Sequence, residues 1–301
     1  MRVASLVTAG LVLVTLGTAS GTVAPAAPPD WAAVDSALGR PGAMQDGGVR
    51  RWSMPRSDLQ VTAGGVRLRP AFALGAWLAM KPAAQGGVVA MGDLVLGEDE
   101  LSPVLSRLQE GGVEQTAIHH HVMRESPRVL YVHVHGHGDP VAVARAVRAA
   151  LALTGTPAPA PAAAPPPPLE LDTAAVRAAL GYAGRANGGV WQVSVPRAET
   201  IRDAGEVIPP SMGLATAFNF QPAGGGRAAI TGDFVMTARE VNPVIAALRA
   251  NGIEVVSLHN HLLAEEPRLF FMHFWADDDA VKLARGLRAA LERTNSRRPG
   301  T

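Results

Sequence analysis

The chain is written twice. "DWAAVDSALG" at 30–39 returns as "DTAAVRAALG" at 172–181, "WSMPR" at 52–56 as "VSVPR" at 193–197, and "GDLVL" at 92–96 as "GDFVM" at 232–236. From about Pro70 onward the offset stays at 140 without a gap, through "SPRVLYVH" (126–133) and "EPRLFFMH" (266–273). Two copies of this length imply duplicated domains, not a solenoid of small units. Between them lies "TGTPAPAPAAAPPPP" (154–168), whose prolines favour an extended polyproline spacer of roughly 3.1 Å per residue. The expected organisation is a leader over 1–27, a first repeat over 28–153, the linker over 154–168, a second repeat over 169–295 and a tail over 296–301. With 48% hydrophobic residues in 301, each repeat has the material for its own core.

The leader reading rests on Arg2, an apolar stretch from Val3 to about Leu16, and small residues suited to signal peptidase near Ala19 or at Ala24–Ala26. The apolar core is short for a membrane span, so export is expected, with an uncleaved anchor as the alternative and no span after cleavage. Without Arg2 the basic and acidic residues balance at 26 each, so the protein lacks the positive footprint of nucleic-acid binding. There is no cysteine. That excludes disulfides, thiolate metal sites and a lipid-modified N-terminal cysteine, and leaves nitrogen and oxygen as the metal donors.

Each repeat predicts the same element order. A short helix is capped by Asp30 or Asp172 and stopped by Gly39 or Gly181. A strand ends in Pro-Arg, and two more run over 72–80 and 88–96, or 213–220 and 228–236. In the second copy, Thr237 and Glu240 have the spacing of a capping box ahead of a helix that ends at Gly252. A hairpin follows, 113–122 with 129–136 or 253–262 with 269–276, and a last helix starts at Asp139 or Asp279. The fold class is α+β: two homologous domains, each a largely antiparallel sheet with helices on one face and a His-rich β-hairpin.

All nine histidines fall within 119–137 and 259–273. Strand alternation places His119 and His121 on one face, and likewise His259 and His261. A hairpin folded about Pro127 sets His121 opposite His133 and His119 opposite His135; in the second copy His261 faces His273 and Trp275 replaces His135. Directly opposed Cβ atoms lie roughly 5 Å apart, so three imidazoles converge in each copy. Three neutral imidazoles suit Zn or another divalent transition metal and leave a coordination position open. Glu125 and Glu265 are the candidate fourth ligands, or catalytic bases for a metal-bound water. His120 alternates to the other face and is set aside. Two other readings stand beside the metal: a hydrogen-bonded structural His cluster, and a His/Glu acid–base site without metal.

Asp93 and Asp233 in the "GD" pairs read as turn residues bonding their own backbone. Arg56 and Arg197 in the Pro-Arg pairs, and Arg128 and Arg268 beside the hairpins, read as carboxylate-paired or surface arginines before anion ligands. No serine nucleophile elbow or phosphate loop is present. The spacing is not that of HNH nucleases, and the cupin metal motif fits only in its first half.

The run "GDLVL…SPVLSRLQEGGVEQTAIHHH…ESPRVLYVHVHGHGDPVAVARAVRAALALTGTP", with "GDFVM…NPVIAALRANGIEVVSLHNHLLAEEPRLFFMHF" in the second half, resembles the LppY/LpqO family of bacterial envelope proteins, a domain of unknown function. The resemblance covers both halves and implies export. It implies no activity, and lipid anchoring is not carried over because the lipobox cysteine is missing. Function is therefore read as an exported protein binding a divalent metal or a small polar ligand through its His hairpins, with the two repeats packed together. The alternatives are a metal-dependent hydrolase and a structural envelope protein with a hydrogen-bonded His cluster.

Overall fold

The structure is a computed structural model that describes residues 28–159 and 168–298. The leader over 1–27, most of the linker and the last residues of the tail lie outside the described residues. The first repeat runs α1 (Trp31–Leu38), β1 (Ala43–Gln45), β2 (Val49–Pro55), β3 (Thr62–Ala63), β4 (Val66–Arg67), α2 (Pro70–Ala73), β5 (Gly75–Pro82), β6 (Val88–Gly97), α3 (Glu98–Glu110), β7 (Glu114–His119), β8 (Val129–Gly138) and α4 (Pro140–Leu151). The second repeats it as α5 (Thr173–Leu180), β9 (Gly184–Asn187), β10 (Val190–Pro196), β11 (Arg202–Asp203), β12 (Glu206–Val207), a 3-10 turn at Pro210–Met212, β13 (Ala215–Gly224), β14 (Arg227–Met236), α6 (Ala238–Ala250), β15 (Glu254–His259), β16 (Phe270–Asp279) and α7 (Ala280–Leu291). Each repeat builds a six-stranded antiparallel sheet, ordered β1-β2-β5-β6-β8-β7 and β9-β10-β13-β14-β16-β15. The α+β class expected from the sequence is the class found.

Local chemistry explains the element ends. Asp30 accepts the amides of Ala32 and Ala33, and Asp172 that of Ala175, while Gly39 and Gly181 close the same helices at φ 80° and 83°. Glu240 accepts the Thr237 amide at 2.7 Å, and Glu100 that of Gly97 at 2.8 Å. These two glutamates also clamp the buried Arg197 and Arg56, tying each helix start to the Pro-Arg strand.

Each sheet has two buried faces. One carries Trp52, Leu78, Met80, Leu94, Val132 and Val134 against the helices, matched in the second copy by Val193, Phe218, Phe220, Phe234, Met272 and Phe274. The opposite faces look at each other: Val49, Ala79, Val89 and Met91 join Val235, Leu262, Leu269 and Phe271 in one apolar cluster. The molecule is thus two facing sheets with helices outside. The repeats also exchange arms. Gln221 accepts the Arg69 amide and donates to the Arg67 carbonyl, both at 2.8 Å, while on the other side Arg51 donates to the Ser211 carbonyl and Lys81 pairs with Glu206.

The hairpin register differs from the expected one. Ala117 lies opposite His133, His119 opposite Tyr131 and Glu114 opposite His135; in the second copy Ser257 lies opposite His273 and His259 opposite Phe271. The first strand stops at His119 or His259, and residues 120–128 and 260–269 form loops. The loops have anchors of their own. Ser126 exchanges two backbone hydrogen bonds with Thr62, Glu266 does so with Arg202, and the carboxylates of Glu125 and Glu265 accept the amides of Val129 and Leu269. Residues so held cannot join the ladder, and pairing slides by four. An even slide keeps every side chain on its face, so the histidines still point inward.

Candidate metal centre

Facing sheets bring the two sets of histidines together between the repeats. His119, His121 and His133 from the first copy meet His259, His261 and His273 from the second, about a pseudo-two-fold axis where the rings of His119 and His259 stack at 3.8 Å. Each His-X-His pair finds its third imidazole across the interface. His119, His121 and His273 have ring centroids 5.0, 5.1 and 3.8 Å apart, and His259, His261 and His133 have 5.2, 5.4 and 3.8 Å. Within one copy His119 and His133 are diagonal neighbours with rings 4.8 Å apart, as the slid register requires.

The backbone aims these rings. His273 Nδ1 lies 2.6 Å from the Gly232 carbonyl, His261 Nδ1 3.0 Å from that of Gly213, and His133 Nδ1 3.3 Å from that of Gly92. A carbonyl only accepts, so each Nδ1 carries the proton and each Nε2 presents a lone pair to the centre. His121 stacks on Tyr131 at 3.4 Å and His261 on Phe271 at 3.5 Å, which fixes their planes.

The loop backbones are held just as closely. Thr116 donates to the His261 carbonyl at 2.7 Å, Thr231 to that of His121 at 3.2 Å, and Ser257 to that of His120 at 2.8 Å. Asn260, the middle residue of "HNH", donates to the Thr116 carbonyl at 2.8 Å and serves the scaffold. Its counterpart His120 turns away, with Nδ1 3.0 Å from the Val129 carbonyl.

Burial and crowding set the charge state. Burial foremost, then the neighbouring imidazoles, pushes His119, His121, His133 and His259 well below the usual histidine range. Burial takes His261 and His273 down to about 3, although the Asp93 carboxylate opposes it in both. All six rings are therefore neutral at physiological pH, the form that ligates metal. Four buried nitrogens in these rings have no polar partner: His119 Nδ1, His133 Nε2 and both of His259.

Asp93 and Asp233, expected in turns, sit inside β6 and β14 directly across from His133 and His273. Their carboxylates approach His121 Nε2 at 3.3 Å and His261 Nε2 at 3.0 Å, each with one oxygen that bonds nothing. Burial raises Asp233 to about 6. Inward parity with the cross-strand histidines is the signal that could have found them. Glu125 and Glu265, proposed from spacing as fourth ligands or bases, are buried with a carboxylate oxygen on the backbone of their own loops. His135 leaves the group: its Nε2 lies 3.0 Å from Asp203 at the rim.

Donor atoms of His119, His121 and His273 lie within 4.8 Å of one another, as do those of Asp233, His259 and His261, and those of His119, His133 and His259. An ion 2.0–2.1 Å from each nitrogen in a tetrahedral site needs donors about 3.4 Å apart, so small side-chain adjustments close any of these sets.

No curated protein matches the chain. Among solved structures, a trimeric bacterial microcompartment shell protein, PduB, aligns at 12% identity and a TM-score of 0.21 over 85% of this chain and 96% of its own. EtuB from Clostridium kluyveri aligns at 9% identity and a TM-score of 0.19 over 83% of this chain and 90% of its own. Likeness this remote bears on neither fold nor function. The family model described as Domain of Unknown Function (DUF1259) matches residues 32–153 and again 174–293. The chain thus belongs to that family, with two tandem copies of its domain.

Proposed function

We propose that the protein binds divalent transition-metal ions, such as Zn, in a six-histidine centre that its two repeats assemble jointly. The observation that carries this reading is the set of four buried imidazole nitrogens without a polar partner, beside two more, in His121 and His261, that face only the carboxylates of Asp93 and Asp233. Leaving a buried polar atom unpaired costs about 1–3 kcal/mol, so a cluster serving only packing or hydrogen bonding would be an expensive one. A bound metal supplies a partner to one nitrogen of each ring that it holds. The donor sets His119/His121/His273 and Asp233/His259/His261 share no residue, and His133 stands beside the second, which gives room for two ions related by the pseudo-dyad. Ligands given by both copies make the metal a clasp between the repeats.

Binding is favoured over hydrolysis, because Glu125 and Glu265 are engaged by loop amides. The leader at Val3 to Leu16 and the resemblance to LppY/LpqO envelope proteins support action outside the cytoplasm. The test is elemental analysis of the untagged mature protein beside a variant with His119, His121, His259 and His261 changed to Ala. One or two bound ions per chain, absent from the variant, are expected. A metal-free protein that also fails to take up added Zn(II) or Cu(II) overturns the proposal.

A further inference from the structure

Outside the six-histidine centre, the rim of the interface gathers three more ligand-type side chains. His135 and His137 extend from β8 of the first repeat, and Asp203 comes from the β11–β12 arm of the second. Asp203 Oδ2 is 3.0 Å from His135 Nε2 and 3.9 Å from His137 Nε2, and the three donor atoms lie within 4.8 Å of one another. We propose that His135, His137 and Asp203 form a second, solvent-facing site for a divalent first-row transition ion, present once among the described residues.

Three observations carry it. Glu114 Oε2 stands 3.4 Å from His135 Nδ1, so one ring nitrogen faces a carboxylate while Nε2 is directed at Asp203, as in metal-bound histidines whose other nitrogen bonds a carboxylate. His135 and Asp203 are 7% and 4% exposed, whereas the His137 side chain is 44% exposed. One flank is therefore open, and water or a small anion can complete the coordination. The pseudo-symmetric position shows what docking the arm requires on its own. There, Trp275, Asp277 and Ala63 replace His135, His137 and Asp203, and Trp275 packs edge-on against Phe72 of the first repeat's arm with ring centroids 6.0 Å apart. An apolar contact fastens that arm, so two histidines and an aspartate are not needed merely to fasten the other.

Two imidazoles and one carboxylate with open positions suit Fe(II), and Co(II), Ni(II) or Zn(II) as well. The site stands independently of the buried centre, since it shares no ligand with it.

The experiment uses full-length protein stripped by a chelator and titrated with Co(II) under anaerobic conditions at neutral pH. It reads visible absorption, bound metal by equilibrium dialysis, and the melting temperature. His137→Ala should remove one ion per chain, or weaken it at least about tenfold, while leaving the absorption of the other ions and the metal-free melting temperature as in wild type. Asp203→Asn should remove the same ion. A variant with His119, His121, His259 and His261 changed to Ala should keep that ion and lose it on adding His137→Ala, so failure of the buried centre and of the rim site read differently. If His137→Ala binds Co(II) with wild-type stoichiometry and affinity, or if wild type binds none, the proposal is overturned and the trio is an ion pair holding the arm.

Discussion

Acidification from about pH 7 to about pH 5.5 should cost the metal-free protein roughly 7 kcal/mol, most of the 5–15 kcal/mol that a domain has. The six central imidazoles are neutral in the fold, with His261 and His273 depressed to about 3 and the others shifted the same way by burial and mutual crowding. In the unfolded chain each has the ordinary pKa of about 6.5. The unfolded state therefore binds more protons throughout the interval, and stability falls with pH from about 6.5 down toward the folded pKa near 3. Each ring contributes a loss of about 1.3 kcal/mol over that step, or about 8 for six. Asp233, raised to about 6 by burial, gains a proton in the fold and offsets about 0.8 kcal/mol. His135 also opposes the loss, because Asp203 and Glu114 outweigh its burial and raise its pKa. Urea unfolding in the presence of a chelator at the two pH values measures the difference directly. A stability that changes by less than about 1 kcal/mol would refute the reasoning, since it would mean that the rings take up protons in the fold as freely as in the unfolded chain.

His259 has no partner at either ring nitrogen, so His259→Leu should stabilise the metal-free protein by about 1–3 kcal/mol in urea while lowering bound metal; a destabilised variant would contradict this. Saturating metal at about a hundred times its dissociation constant should add roughly 2.7 kcal/mol per independent ion, seen as a concentration-dependent rise in melting temperature. Gly232→Ala would bring a Cβ within 1.9 Å of the Ala217 carbonyl oxygen, forcing β13 and β14 apart at the carbonyl that orients His273; loss of both soluble protein and metal is expected, read by calorimetry and elemental analysis. Arg197→Met leaves Glu240 and Glu199 without their buried partner and should destabilise by about 3–5 kcal/mol in chemical denaturation, with metal stoichiometry unchanged in the protein that folds.

What the sequence settled by itself was local or periodic. The duplication is visible as an offset that holds at 140 from about Pro70 onward, and the caps at Asp30, Asp172 and Glu240 act on amides within three residues. Parity alone sent His119, His133, His259 and His273 to one face of each sheet, because a strand has a period of two whatever its register. Register was not legible. It depends on Ser126 and Glu266 bonding to arms more than sixty residues earlier, and no spacing within the hairpin encodes that contact. Nor was the sharing of imidazoles, which joins His121 to His273 and His133 to His261 across facing sheets. Asp203 was invisible for the same reason: it meets His135 only because the repeats exchange arms. Periodicity constrains which face a side chain takes. Which face then meets which is decided by the burial of Val49, Ala79 and Met91 against Val235 and Phe271, a contact between halves of the chain that only the assembled fold creates.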